Sequence, residues 1–270
     1  MFWNWLTERR RKHITDQAFP TSWEEIIEKN IGHWKVLDDD ERTRLRALVQ
    51  VFIAEKHWEG CGGLELTDEI KVTIAADACM LLLGLDHSLY QDVESILVYP
   101  STVVRPQRPP PVFGRSWNPA PGPVALLGEA HLDGPVLLVW DAVRRGARDS
   151  ADGHNVVFHE FAHKIDMIDG DADGTPPLEN ASQRTEWAKI CSEAFLDLKR
   201  RVERGQRDVL DAYGATNEAE FFAVATESFF ERPTQLSNAL PELYALLARF
   251  YHQDPLARLQ RTLAREEPAS

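Results

Sequence analysis

The stretch NVVFHEFAHKIDMIDG, residues 155–170, sets two histidines four positions apart with a glutamate directly after the first. On an α-helix, positions i and i+4 lie one turn apart on one face, so His159 and His163 can aim at a single ion. Zinc accepts imidazole nitrogen at about 2.0–2.1 Å in a usually tetrahedral site, which leaves two positions beyond this pair. Glu160 lies about 100° round the helix from His159 and reaches the open side of such an ion, where it can take a proton from water. The spacing also arises by chance, so the surroundings decide. Val156, Val157, Phe158, Phe161, Ala162 and Ile165 are apolar, the pattern of a helix buried through the middle of a domain. Two histidines and a glutamate buried there without a partner would be costly. A cation satisfies all three.

A catalytic site that keeps one position open needs a third protein ligand. After His163 the chain runs KIDMIDG with no histidine for many residues, which excludes the three-histidine metzincin pattern. A carboxylate on a later helix is the alternative, and YGATNEAEFFAVATESFFERP, residues 213–233, offers Glu218, Glu220 and Glu227. Glu220 and Glu227 are seven apart, hence on one face; spacing alone does not choose between them. Asp166, seven residues after His159, and Glu227 are also candidates to accept the second imidazole N–H of a ligand histidine.

The rest of the chain reads as helices with a few strands. SWEEIIEKN, 22–30, looks like a helix capped by Ser22. In LDDDERTRLRALVQVFIAEKHWEG, 37–60, Asp38 to Asp40 can cap a helix whose Leu45, Leu48, Val49, Phe52 and Ile53 recur at helical spacing. TDEIKVTIAADACMLLLGL starts at Thr67 and stays apolar enough for the core. SILVYP, 95–100, and GPVLLVWD, 134–141, read as strands, and the second is expected to offer its edge to an extended peptide. Between them RPQRPPPVFGRSWNPAPGP, 105–123, excludes regular helix and marks an ordered loop or seam. Helices are expected at 182–204 and 217–231, and a last one over PELYALLARFYHQDPLARLQRTL from Pro241. Asp169, Asp171 and Asp173 suggest a calcium loop, but loop position twelve is Asn180 where a bidentate glutamate is required.

Composition narrows the classes. The 270 residues carry a formal net charge of −13, which argues against a nucleic-acid partner, since such binding draws on Lys and Arg neutralising phosphates. Cys61, Cys79 and Cys191 lie far apart and suggest neither disulfides nor a cysteine zinc site. No apolar run approaches the roughly 20 residues of a membrane span, so a cytoplasmic location is expected. Trp3 and Trp5 before Arg9, Arg10, Arg11 and Lys12 make a weak membrane-surface element or a docked terminal helix.

NVVFHEFAHKID, DAYGATNEAEFFAVATESFF, VYP after an apolar helix, GEAHLDGPVLLVW and FYHQDPLARL together resemble the Mlc titration factor A family of zinc metallopeptidases. The likeness spans about residues 45–260, and the family's catalytic core is similar to the protease domain of anthrax lethal factor, a gluzincin. The resemblance implies an α+β fold: a zincin-like metallopeptidase, mainly helical with a small mixed sheet. It implies a helical N-terminal part, 1–104, and a catalytic part, 105–270, in one compact unit. It implies one zinc per chain on His159, His163 and Glu220, the glutamate before the aromatic pair, with Glu160 as general base. Tyr213, seven residues before Glu220, matches a tyrosine that assists the oxyanion. The activity implied is aminopeptidase-like cleavage of short peptides, and the partners are a peptide substrate and a transcriptional repressor. The rival expectation is a protein that sequesters a regulator and retains only a vestigial zinc site.

Overall fold

A computed structural model of the chain describes residues 2–101, 103–104, 125–126, 128–130 and 134–266. The proline-rich stretch read as a loop or seam lies outside the described residues, as do the side chains of Trp3 and Trp5.

Three helices open the chain: α1 (Phe2–Thr15), α2 (Thr21–Asn30) and α3 (Asp39–Glu55). Asp38 starts α3 with a capping box, its side chain accepting from the Glu41 N–H while Glu41 returns a bond to the Asp38 N–H. Ser22, by contrast, is not a cap: α2 begins one residue earlier, after Pro20, with no side-chain cap. The short strand β1 (His57–Gly60) leads to α4 (Asp68–Leu81), capped by Thr67. Residues Val72 to Leu81 of α4 are all buried, as its nearly unbroken apolar sequence requires.

Strands β2 (Ser95–Tyr99), β3 (Val103–Val104), β4 (Ala125–Leu126), β5 (Gly128–Ala130) and β6 (Val136–Val139) follow. Four of them form a mixed sheet in the order β1-β2-β6-β5, parallel except for the antiparallel β5–β6 pair; β3 and β4 form a separate antiparallel pair. The sheet therefore draws strands from both sides of residue 104. Two expectations for GPVLLVWD are corrected here. The strand ends at Val139, and Trp140 and Asp141 open α5 (Trp140–Arg148). It also has no free edge, because β2 and β5 pair with its two sides. All four residues of β6 are buried, which is why it reads as a continuous apolar run rather than an alternating one. Among the described strands, β5 stands at that end of the sheet.

The remaining helices are α6 (Val156–Asp166), α7 (Ala181–Glu203), α8 (Glu218–Glu231), α9 (Pro233–Ala239), α10 (Pro241–Tyr251) and α11 (Pro255–Glu266). The expected single C-terminal helix is thus two: His252 takes a left-handed φ of 49°, and Pro255 starts the next helix after the break. The core joins α3, α4, α6, α8 and α10 to β2 and β6. The fold is α+β and mainly helical, with a small mixed sheet. Among the described residues no helix is long and apolar enough to cross a membrane.

Candidate metal centre

Helix α6 carries two functions on two faces. Val157, Phe158, Phe161, Ala162 and Ile165 are wholly buried in the core, while His159, Glu160 and His163 turn toward α8 and β5. Asn155 starts the helix, its side-chain oxygen accepting the N–H groups of Val157 and Phe158 at 3.0 and 3.1 Å. Further along, the buried Lys164 donates to the Gly134 carbonyl at 2.8 Å, which fastens the approach to β6 onto the helix.

Helix α8, capped by Asn217 through the Glu220 N–H, lies against α6 and brings Glu220 to His159. Glu220 Oε2 stands 2.9 Å from His159 Nε2 and 3.3 Å from His163 Nε2, and the two imidazole nitrogens are 3.2 Å apart. Among the described residues this is the one group of three or more histidine, cysteine or acidic residues whose ligand atoms converge, all within 4.8 Å of one another. Glu218 is exposed and outside the group. Glu227, two turns on, meets the opposite side of the same ring, with Oε2 2.9 Å from His159 Nδ1. Asp166 does not: its carboxylate accepts the Gly174 N–H at 2.9 Å, tying the end of α6 to the following loop.

Tyr213 sits in the 3-10 turn Ala212–Ala215, capped by Asp211 through the Tyr213 N–H at 2.7 Å. Gly214 behind it is pressed between α8 and α7: a Cβ there would meet Val224 and Leu198 at 3.2 and 3.3 Å. This close packing leaves Tyr213 half exposed, its hydroxyl donating to Glu220 Oε1 at 3.2 Å. On the other side, a Cβ on Gly128 of β5 would stand 2.4 Å from Glu160 Oε1. Only glycine lets the end strand come so near this carboxylate.

The electrostatics follow from burial and from three glutamates round two histidines. Burial opposes a charge on His159, yet its hydrogen bonds to Glu220 and Glu227 prevail and hold its pKa well above the usual imidazole range. Glu220 is likewise opposed by burial but held ionised, far below the usual carboxylate range, by His159 and His163. Glu160, 5% exposed, is pushed up to about 7, chiefly by burial; the histidines oppose this and Glu220 and Glu227 add to it.

The donor set fits zinc. Two imidazole nitrogens and a carboxylate oxygen face one point, and tetrahedral bonds of about 2.0–2.1 Å set ligand atoms about 3.3 Å apart, close to the spacings here. Two imidazole nitrogens 3.2 Å apart beside a carboxylate can share protons or hold a cation, and a dication suits the surrounding acidic groups best. The aspartates of the 169–173 stretch do otherwise: Asp169 and Asp173 accept from backbone N–H groups two residues on, as in ordinary polar turns.

Sequence reading alone missed Asn155, Gly128 and Asp77. Asn155 carried a signal, as an asparagine directly before an apolar-periodic helix. Asp77 carried one too, as the one acidic residue in the apolar run Val72–Leu81 of α4. Gly128 carried none, since its role depends on a strand approaching α6 from elsewhere in the chain.

Comparison with known proteins adds independent findings. A family model described as glucose-regulated metallo-peptidase M90 matches residues 5–252. An uncharacterized protein of Synechocystis sp. is 34% identical over 264 residues, covering 94% of this chain and 91% of its own. Proteins named Mlc titration factor A are similar as well: that of Serratia proteamaculans is 33% identical over 267 residues, covering 97% of this chain and 96% of its own. The one from Edwardsiella ictaluri is 34% identical over 236 residues, covering 84% and 85%.

Proposed function

The chain belongs to the glucose-regulated metallo-peptidase family M90, and from that premise we propose that it is a zinc-dependent peptidase that removes residues from the N-termini of short peptides. The observation that carries this reading is the convergence of His159, His163 and Glu220 beside the buried Glu160. His159, His163 and Glu220 hold one zinc ion per chain. When bound, it supplies Lewis acidity toward the scissile carbonyl and makes water nucleophilic at neutral pH.

Glu160 is the general base. Its carboxylate accepts the proton of the attacking water and then returns it to the leaving amine. The Tyr213 hydroxyl, now on Glu220 Oε1 at 3.2 Å, turns to donate to the developing oxyanion. The peptide's scissile bond lies beside Glu160, which Gly128 of β5 approaches closely enough that a Cβ there would stand 2.4 Å from Glu160 Oε1. The helices before residue 104 support the part that carries the site, in one compact unit, and the protein works in the cytoplasm. A panel of peptides with free and acetylated N-termini tests the exopeptidase reading. Turnover confined to free N-termini is expected; equal turnover of both makes the enzyme an endopeptidase.

The name of the Serratia and Edwardsiella relatives, Mlc titration factor A, favours a second reading: this chain also binds a transcriptional repressor. Copurification of a repressor with the Glu160→Gln variant, at the level seen with wild type, supports it. Absence of any repressor from both preparations removes it.

A further inference from the structure

Glu227 is buried, 7% exposed, and both of its oxygens are committed. Oε2 stands 2.9 Å from His159 Nδ1, and Oε1 accepts the backbone N–H of Asn155 at 2.8 Å. Both oxygens of Glu227 act as acceptors here, so a proton on Nδ1 completes the contact. With zinc bound, the Nε2 lone pair would then face the side where Glu220 and His163 converge. We propose that Glu227, locked in place by Asn155, is a positioning residue that fixes the tautomer and ring orientation of His159 and so sets the affinity of the site for zinc. The inference rests on the reading of His159 as a zinc ligand.

Asn155 is suited to hold Glu227 because none of its polar groups is idle. Its carbonyl accepts the His159 N–H at 2.9 Å, its side-chain oxygen caps Val157 and Phe158, and its amide donates to Asp77 Oδ2 at 3.3 Å. Asp77 is wholly buried in α4, where an isolated carboxyl is costly, and it anchors the start of α6 from the N-terminal side of the molecule. The N–H of Asn155 thus has a fixed position relative to His159. Through it Glu227 on α8 is held at one distance from the imidazole two turns away from Glu220. Three helices in this way fix one ring.

A purely structural reading, in which Glu227 only ties Asn155 to α8, is separated by the isosteric change Glu227→Gln. Glutamine brings one acceptor and one NH2 group to a place that needs two acceptors. If its oxygen stays on Asn155, its NH2 faces Nδ1, and the proton is driven to the metal-facing nitrogen. The zinc dissociation constant, measured by chelator competition, is expected to rise 10–100-fold. In zinc-loaded protein the hydrogen-bonded His159 Nδ1–H proton resonance is expected in wild type and not in the variant. The metal-free melting temperature should move little. Glu227→Asp, which keeps the charge one methylene short of the ring, should weaken zinc binding as well and serves should the glutamine variant fold poorly. Wild-type zinc affinity in either folded variant overturns the inference. His159→Ala in the same titration isolates the premise: if it binds zinc as wild type does, the ligand reading fails; if it loses zinc while the Glu227 variants keep it, only the positioning inference fails.

Discussion

Glu231 ends α8 with Oε2 on the Gly153 N–H at 2.9 Å, while Oε1 is buried and bonds to no other described group. Burial, with Asp152, Glu227 and Asp77 nearby, pushes its carboxyl up to about 9. Its folded pKa therefore lies above the roughly 4.3 of an unfolded glutamate, and the folded state binds the proton more tightly. That contribution is complete below the unfolded value and is lost as pH rises toward 9. Glu231→Gln keeps the acceptor for Gly153 and cannot ionise. Its melting temperature should overtake that of wild type progressively from pH 5 to pH 9 in thermal melts; a difference independent of pH contradicts this. His33 is the mirror case: burial, then Arg258, lowers it to about 4, so its contribution is present above about 6.5 and fades as pH falls toward 4. For Tyr213, loss of the hydroxyl in Tyr213→Phe should lower kcat by about 10²-fold or more with zinc content unchanged. An unaltered kcat would make it a packing residue.

The elements explain what was legible. Helix α6 announced itself through two histidines on one face and an apolar opposite face, and α3 and α4 through Asp38 and Thr67, which cap as their sequences suggest. The third carboxylate was different: spacing put Glu220 and Glu227 on one face, but only the packing of α8 against α6 shows that they grip opposite nitrogens of one ring. Strand β1 corrects the reading of 37–60 as one helix: the helix stops at Glu55, and HWEG, with no apolar alternation to mark it, pairs with β2. Helix α5 was hidden by the unbroken run from β6 into Trp140. Two glycines test how tightly elements are set. Gly128→Ala brings a methyl to 2.4 Å from Glu160 Oε1 and should cut peptide turnover at least about tenfold, the scale expected when a catalytic group is misplaced, with zinc retained. Full turnover would mean that β5 yields freely. Gly174 has φ 78°, and a Cβ there would lie 2.3 Å from the Glu218 carbonyl. Gly174→Ala should cost about 2 kcal/mol or more in denaturant unfolding, because the loop after α6 cannot withdraw from the start of α8 without releasing Asp166.

At the scale of the molecule, the site is a junction. Helix α4 reaches Asn155 at the start of α6 through Asp77, α8 meets His159 through Glu220 and Glu227, and β5 comes up to Glu160. An ion bound only by the folded chain must then stabilise the whole, and removing zinc with a chelator should lower the melting temperature; an unchanged melt would mean that no tightly bound ion was present. The family and the helical character were readable because they depend on local motifs, whereas the mixed sheet order depends on pairings across residue 104. The central claim concerns one carboxylate. Zinc content and peptide hydrolysis, measured together on wild type and Glu160→Gln, test it most directly. About one zinc per chain in both proteins, with turnover reduced by about 10²–10⁴-fold in the variant, is the predicted result. Equal turnover by the two proteins at equal zinc content would contradict it.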